Sequence, residues 1–106
     1  MAYASRGDND SAIEFYQKTI SLDSGNADAY VNIGNAYDSK GDPERAITSY
    51  LKAIAQQPTA ANAFYNLSIA YVKLRSFPQA RQAMQQAARL GMEDAQKFLR
   101  ERRDTW

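Results

Sequence analysis

The sequence contains no cysteine and no histidine. Without cysteine, the chain can form neither a disulfide nor a thiolate metal site. It also lacks the Ser–His–Asp triad, the Cys–His pair and the histidine general base that many enzymes use. The phosphate-binding P-loop and the G-x-G-x-x-G pattern are missing as well. We therefore expect no enzyme activity, no metal site and no cofactor.

Long apolar segments are also missing. No run of residues approaches the length of a membrane-spanning helix, and residues 1–20 lack the apolar core of a signal peptide. The net charge of +1 provides no general attraction to nucleic acid or to an anionic membrane. These absences favour a cytoplasmic location and partners that are neither nucleic acids nor membranes.

The charges are unevenly distributed along the chain. Residues 1–53 carry five Lys or Arg against eight Asp or Glu, a net charge of −3. Residues 54–106 carry eight against four, a net charge of +4. An elongated molecule built in chain order would therefore have an acidic end and a basic end. One interpretation is head-to-tail association, and the other is chance scatter among surface charges.

The sequence does contain an internal repeat, whose period is about 34 residues. The coinciding residues include Ala2, Ala36 and Ala70, then Tyr3, Tyr37 and Tyr71, and then Ala12, Ala46 and Ala80. Within one period, one helical face is formed by Tyr30, Ile33, Gly34 and Tyr37, and another by Ala46, Ile47, Tyr50, Ala53 and Ile54. Each period is therefore predicted to contain two helices.

Turn residues separate the two helices. Gly41 suits the left-handed position after a helix end, and Asp42 suits the N-cap of the next helix. Pro43 suits a first helical turn, where its missing N–H is not needed. Pro58 is predicted to stop the second helix, so that each period forms a helix–turn–helix. The pair Gly7-Asp8 falls on Gly41-Asp42 and predicts an earlier turn of the same kind, which would also contain Asp10.

Small residues predict a close approach of the two helices. Gly34 and Ala46 should face each other across the hairpin, since neither has a bulky side chain. Tyr37 and Tyr50 should then fill the wider spaces between successive helices.

This pattern resembles the tetratricopeptide repeat, with its consensus of W-x₂-L-G-x₂-Y, then A-x₃-F, then P. Residues 27–60 read Tyr30-x₂-Ile33-Gly34-x₂-Tyr37, Ala46-x₃-Tyr50 and Pro58. Residues 61–94 read Phe64-x₂-Leu67-Ser68-x₂-Tyr71 and Ala80-x₃-Met84, with Met92 replacing the proline and Arg75 the turn glycine. The resemblance implies an all-α fold, a right-handed superhelix of antiparallel helical hairpins.

The repeats divide the chain, residues 1–106, into parts of a single domain. These parts are a truncated first repeat at 1–26, a second repeat at 27–60, a third at 61–94, and a capping helix with a tail at 95–106.

The first of these repeats is incomplete, because its leading helix has only Met1 to about Arg6. The next helix should therefore leave Ile13, Tyr16 and Ile20 partly uncovered. Either the chain is a fragment of a longer protein, or another copy covers this face. The second case makes the chain a self-assembling scaffold, a homo-oligomer through its N-terminal hairpin.

The favoured function is binding of a peptide segment of another protein, because the resemblance implies a concave groove lined by the first helix of each pair. An asparagine side chain has both a donor and an acceptor, so it can bond to the N–H and C=O groups of an extended peptide. Asn32 and Asn66 could form successive rungs, beside an apolar patch of Tyr65, Ile69 and Val72. The predicted binding residues are Asn32, Asn35, Asn62, Tyr65, Asn66, Ile69, Lys73 and Arg100.

A carboxylate clamp, by which some family members hold the acidic tails of heat-shock chaperones, is less favoured. The matching positions are Val31, Asn35, Asn66, Gln96 and Arg100. Three of these five agree with the clamp, but both of its lysines are missing. The loss of two charge-assisted partners argues against this function.

Overall fold

A computed structural model of the chain describes residues 6–23 and 25–102. Over these ranges the chain forms six α-helices and no strand. The helices are α1 (Arg6–Leu22), α2 (Ala27–Ser39), α3 (Pro43–Gln56), α4 (Ala61–Lys73), α5 (Phe77–Arg89) and α6 (Glu93–Arg102). Each helix packs against the next, and α2 also contacts α4. The predicted all-α array of helical hairpins is confirmed.

The helix boundaries repeat with the sequence. The first helices α2 and α4 begin at Ala27 and Ala61, which occupy the same position of successive repeats. The second helices α3 and α5 begin at Pro43 and Phe77, which are equivalent in the same way. One apolar core cluster contains residues of both hairpins, including Tyr50 of α3 and Leu67 of α4. Successive hairpins therefore bury a continuous core, as in other stacked repeats.

The turn between α2 and α3 has the predicted chemistry. Gly41 has a φ of +82°, the left-handed conformation that glycine adopts without a steric penalty. The side chain of Asp42 caps α3 by accepting a hydrogen bond from the N–H of Arg45 at 3.1 Å. At the far end of α3, Gln57 is extended because the following Pro58 disfavours a helical conformation there.

The equivalent turn after α4 keeps this shape without glycine. Arg75 occupies the left-handed region with a φ of 58°. The N–H of Ser76 donates to the carbonyl of Tyr71 at 2.9 Å, as the N–H of Asp42 donates to Tyr37 at 2.9 Å. A left-handed conformation costs a residue other than glycine roughly 1–2 kcal/mol. The packing of α4 on α5 must offset that cost.

The predicted turn at Gly7-Asp8 is wrong. Helix α1 begins at Arg6 and continues through Gly7, Asp8 and Asp10, so none of these residues lies in a turn. The difference from Gly41-Asp42 is the next residue, because Asn9 stands where Pro43 follows Asp42. Glycine within a helix costs only about 1 kcal/mol, which does not end the helix by itself. The predicted short helix from Met1 lies almost entirely outside the described residues.

The apolar residues of α1 are covered unevenly. Ile13 is buried, so the expectation that it would be uncovered is wrong. Tyr16 and Ile20 are half-buried, as expected. The exposed apolar side chains of this helix are instead Phe15 and Leu22.

The close approach of α2 and α3 depends on Gly34 and Tyr50. A Cβ atom added at Gly34 would lie 2.5 Å from Cε1 of Tyr50, and its three nearest neighbours all belong to that ring. Tyr50 itself is almost completely buried. Tyr50, rather than the predicted Ala46, is therefore the residue that requires glycine at position 34. The ring lies between α2 and α3, within its own hairpin.

The two helices of the third repeat pack through a different pair of residues. Ser68 and Met84 stand at the positions of Gly34 and Tyr50, and both are completely buried. The Ser68 hydroxyl donates to the carbonyl of Ala80, the equivalent of Ala46, at 2.6 Å. Methionine is unbranched and flexible, so it adapts to a neighbouring side chain in a way that an aromatic ring cannot.

Gly34→Ser should destabilise the protein, because the new Cβ would overlap the ring of Tyr50. We expect the free energy of unfolding to fall by about 2–3 kcal/mol, the upper part of the range for overpacking. Gly34→Ser combined with Tyr50→Met copies the third repeat and should recover part of this loss. Urea unfolding followed by circular dichroism measures both. As a control, Ser68→Ala removes one hydrogen bond and keeps the Cβ, so it should cost only about 1 kcal/mol. Equal stability of Gly34→Ser and the wild type would contradict the packing described.

Candidate functional site: a groove on the first helices

The first helices α2, α4 and α6 carry every predicted binding residue. These are Asn32 and Asn35 on α2, then Asn62, Tyr65, Asn66, Ile69 and Lys73 on α4, and Arg100 on α6. All eight are exposed or half-buried, so their side chains are accessible to a partner. The structure brings some of them into direct contact and leaves others apart.

Asn35 is the centre of a hydrogen-bond network that crosses the hairpin. Its Oδ1 atom accepts from the Tyr50 hydroxyl at 2.6 Å and from Nδ2 of Asn66 at 3.3 Å. Both lone pairs of Oδ1 are therefore used, which fixes the orientation of the Asn35 amide. In the described ranges, Nδ2 of Asn35 and Oδ1 of Asn66 have no hydrogen-bond partner. The groove thus presents one free donor beside one free acceptor.

The sequence pattern missed the role of Tyr50, although it contained a signal. The family consensus has phenylalanine at this position, and this chain has tyrosine. A buried tyrosine hydroxyl requires a hydrogen-bond partner, and that partner must come from the facing helix. In the structure, the partner is the groove residue Asn35.

A second link joins α2 to α4 along the same face. Nζ of Lys73 lies 2.8 Å from Oδ1 and 2.7 Å from Oδ2 of Asp38. Both side chains are partly exposed to solvent, so the pair adds little stability on its own. Lys73 is accessible, but an acidic partner would have to compete with Asp38 for its charge.

The remaining predicted residues form polar and apolar parts of the groove. Asn32 and Asn62 make no side-chain hydrogen bond within the described residues. Tyr65 packs against a buried cluster that includes Met84 and Ala95, and Leu99 of α6 packs on the same cluster. The predicted apolar patch therefore extends from α4 towards α6. Arg100 lies on the exposed surface of α6.

Two positions expected to line the groove do not present their side chains to it. Val31 is buried in the core between the hairpins. Nε2 of Gln96 donates to the carbonyl of Ala88 at 3.0 Å, near the end of α5. Both are positions of the carboxylate clamp, so the geometry gives that interpretation no support.

The environment of Tyr50 also affects its ionisation. Burial raises the pKa of Tyr50 well above its usual value, and the negative charge of Asp38 raises it further. The hydroxyl is therefore neutral at physiological pH and remains a donor to Asn35.

The sequence matches the family described as TPR repeat over residues 2–41 and 34–74. The chain is a tetratricopeptide repeat protein. Its fold is that of a protein–protein interaction module, and domains of this family bind protein or peptide partners. The sequence has no significant match among curated proteins.

Solved tetratricopeptide structures resemble this chain closely. A crystal structure of MamA has 31% sequence identity and a TM-score of 0.76, over 90% of this chain and 59% of that one. A second MamA structure has 29% identity and a TM-score of 0.74, over 84% of this chain and 49% of that one. A structure of YrrB is described as "a TPR protein with an unusual peptide-binding site". It has 31% identity and a TM-score of 0.70, over 73% of this chain and 40% of that one. The present chain thus spans only part of the length of these proteins.

The described part of the tetratricopeptide array lacks two further features. None of its helices is long and apolar enough to cross a membrane. Its side chains also include no cluster of three acidic residues that could hold a metal ion.

Tyr50→Phe should cost about 1 kcal/mol at pH 7, since it removes one hydrogen bond and keeps the ring. This deficit should shrink at alkaline pH. Tyrosine in the unfolded chain ionises near pH 10, whereas the raised pKa keeps Tyr50 neutral in the folded protein. The wild type therefore loses the contribution of Tyr50 as the pH rises above about 10, and the variant has no such contribution to lose. Urea unfolding of both proteins between pH 7 and 10.5 tests this, and a constant difference would contradict it.

Proposed function

We propose that this tetratricopeptide repeat protein binds an extended peptide segment of a partner protein along the face formed by α2, α4 and α6. The observation that supports this most directly is the fixed pair of amides, Asn35 and Asn66. The Tyr50 hydroxyl orients the Asn35 amide, so that Nδ2 of Asn35 can donate to a peptide carbonyl. The second amide keeps Oδ1 free to accept from a peptide N–H. A donor beside an acceptor is what an extended backbone requires.

The rest of the face provides the other elements of peptide recognition. Asn32 and Asn62 offer further amides for the backbone. The half-buried side chains of Tyr65 and Ile69 offer an apolar surface for one side chain of the peptide. Arg100 on α6 provides a cation for an acidic residue. The YrrB structure shows that a related array has a peptide-binding site, which is consistent with this function.

Asn32→Ala combined with Asn66→Ala should weaken peptide binding at least tenfold, because both amides lose their backbone bonds. Peptides selected from a displayed library on the wild-type protein provide the probes, and calorimetry measures their affinities. Gln56→Ala combined with Gln57→Ala is the matched control, since it removes two exposed amides at the end of α3. Unchanged affinity in the asparagine variant, with its fold retained by circular dichroism, would exclude this groove as the site.

Self-association is the second candidate function, and Phe15 is the observation that favours it. Phe15 is 64% exposed, whereas Ser49 and Ala83 at the equivalent positions of later repeats are 7% and 5% exposed. Ser49 lies in a cleft between α3 and α1, the second helix of the preceding hairpin. Ala83 lies in the equivalent cleft between α5 and α3. This position therefore faces the preceding hairpin wherever one is present. A second copy that stacks its basic C-terminal end on α1 would cover Phe15.

Phe15→Ser should reduce self-association by removing this apolar contact. We expect the wild-type mass, measured by chromatography with light scattering, to rise with protein concentration and to fall with added salt. The variant should stay at the monomer mass of 11.9 kDa. Leu22→Ser is the control, because Leu22 is exposed and so are its equivalents Gln56 and Leu90. A monomeric wild type at the highest concentration would rule out this function.

A further inference from the structure

A cleft of about 330 Å³ lies between the second helices α1 and α3, away from the groove on the first helices. We call it the α1–α3 cleft. Its walls are Gln17 and Ile20 of α1, then Tyr30, Ile33 and Tyr37 of α2, and Arg45, Thr48, Ser49 and Lys52 of α3. The three α2 residues and Ile20 form an apolar floor, and the polar residues form the rim.

The repeat produces a second cleft of the same design between α3 and α5, the α3–α5 cleft. Its floor contains Phe64, Leu67 and Tyr71, each one repeat after a floor residue of the α1–α3 cleft. The rim differs in charge. Gln79 and Gln86 occupy the positions of Arg45 and Lys52, and the cation of this cleft is Arg89. The fold explains why a cleft forms, but it does not explain the two cations of the α1–α3 cleft.

The charge of the α1–α3 cleft is entirely positive. None of its nine lining residues is acidic. The Arg45 guanidinium lies 5.8 Å from the centre of the Tyr37 ring, and its Nε atom is 3.6 Å from Oδ2 of Asp42. That contact is exposed and within one helical turn, so it neutralises Arg45 only weakly. Lys52 is exposed and forms no ion pair with any described residue. An anionic group can therefore approach both cations.

The size of the cleft limits what it can hold. A volume of about 330 Å³ is at the lower limit for small-molecule sites, which also enclose most of their ligand. This cleft is open along one side and fits a single large side chain. Arg45 and Lys52 are seven residues apart on α3, roughly 10 Å along the helix axis. An extended peptide covers that distance in about three residues.

We propose that the α1–α3 cleft binds an acidic peptide segment of a partner protein. One aromatic or branched apolar side chain of the peptide lies on Tyr30, Ile33 and Tyr37. Two carboxylates, about three residues apart, pair with Arg45 and Lys52. Gln17 and Thr48 on the two rims can bond to the peptide backbone between them. This surface is separate from the Asn35–Asn66 groove, so the two proposals can fail independently.

A suitable probe is a fluorescent, end-blocked heptapeptide with phenylalanine at its centre and aspartate or glutamate elsewhere. We expect the wild-type chain to bind it at low ionic strength, as measured by fluorescence anisotropy. Arg45→Gln combined with Lys52→Gln gives the cleft the residues of its neighbour and should weaken binding about tenfold. Thr48→Trp places an indole in the cleft without changing its charge and should abolish binding, because the indole occupies the space of the peptide side chain.

Each variant has a matched control. Arg75→Gln combined with Lys97→Gln removes the same charge elsewhere, and Gln82→Trp fills the α3–α5 cleft at the position equivalent to Thr48. Both should bind the probe like the wild type, and so should Asn32→Ala combined with Asn66→Ala. Failure of the wild type to bind, or unchanged binding by the Arg45–Lys52 or Thr48 variant, would overturn the proposal. Equal losses in the charge controls, or loss in the asparagine variant, would overturn it as well.

Discussion

The packing of the Tyr50 ring against Gly34 is the contact on which the rest of the structure depends. The absence of a side chain at Gly34 lets α2 and α3 approach until the ring fills the space between them. The same ring carries its hydroxyl across the hairpin to Asn35, and Asn35 in turn contacts Asn66 on the next hairpin. One side chain thus sets the distance between two helices, orients a groove amide and connects two repeats. A substitution of Tyr50 would therefore alter the groove, although Tyr50 is itself a core residue.

The two described hairpins differ because of this coupling. In the second repeat, the buried Tyr50 lies beneath the polar groove residue Asn35. In the third, the buried Met84 has no hydroxyl, and the residue equivalent to Asn35 is Ile69. Ile69 needs no hydrogen bond from below, whereas Asn35 presented over a methionine would lose its main donor. The groove is therefore polar where the core residue is tyrosine and apolar where it is methionine. The choice of one buried residue in each hairpin matches the chemistry of the surface above it.

The features that could be predicted from the sequence depend on interactions within a few residues. The features that could not be predicted depend on distances between helices. The hairpins were predictable because Gly41, Asp42 and Pro43 end and begin helices through interactions within a few residues. Gly7-Asp8 misled because no proline follows it, whereas Pro43 and Pro78 lie in the first turns of α3 and α5. The pairing of Asp38 with Lys73 joins residues that belong to different repeats, and only the stacking of α2 on α4 brings them together. Burial of Val31 likewise depends on how far each helix is rotated towards its neighbour, which the register of the repeat does not specify.

The links between α2 and α4 affect how stiff the array is. Within a hairpin, the helices are held by apolar packing, which involves no charges for ions to screen. On the groove side, the described links between one hairpin and the next are one amide contact and one partly exposed ion pair. Dissolved ions screen such a pair and weaken its attraction. Along the groove edge, the hairpins are therefore joined only by these described polar contacts, Asn35–Asn66 and Asp38–Lys73. Ionic strength therefore acts on the edge of the superhelix that borders the groove, and not on the core that joins the hairpins.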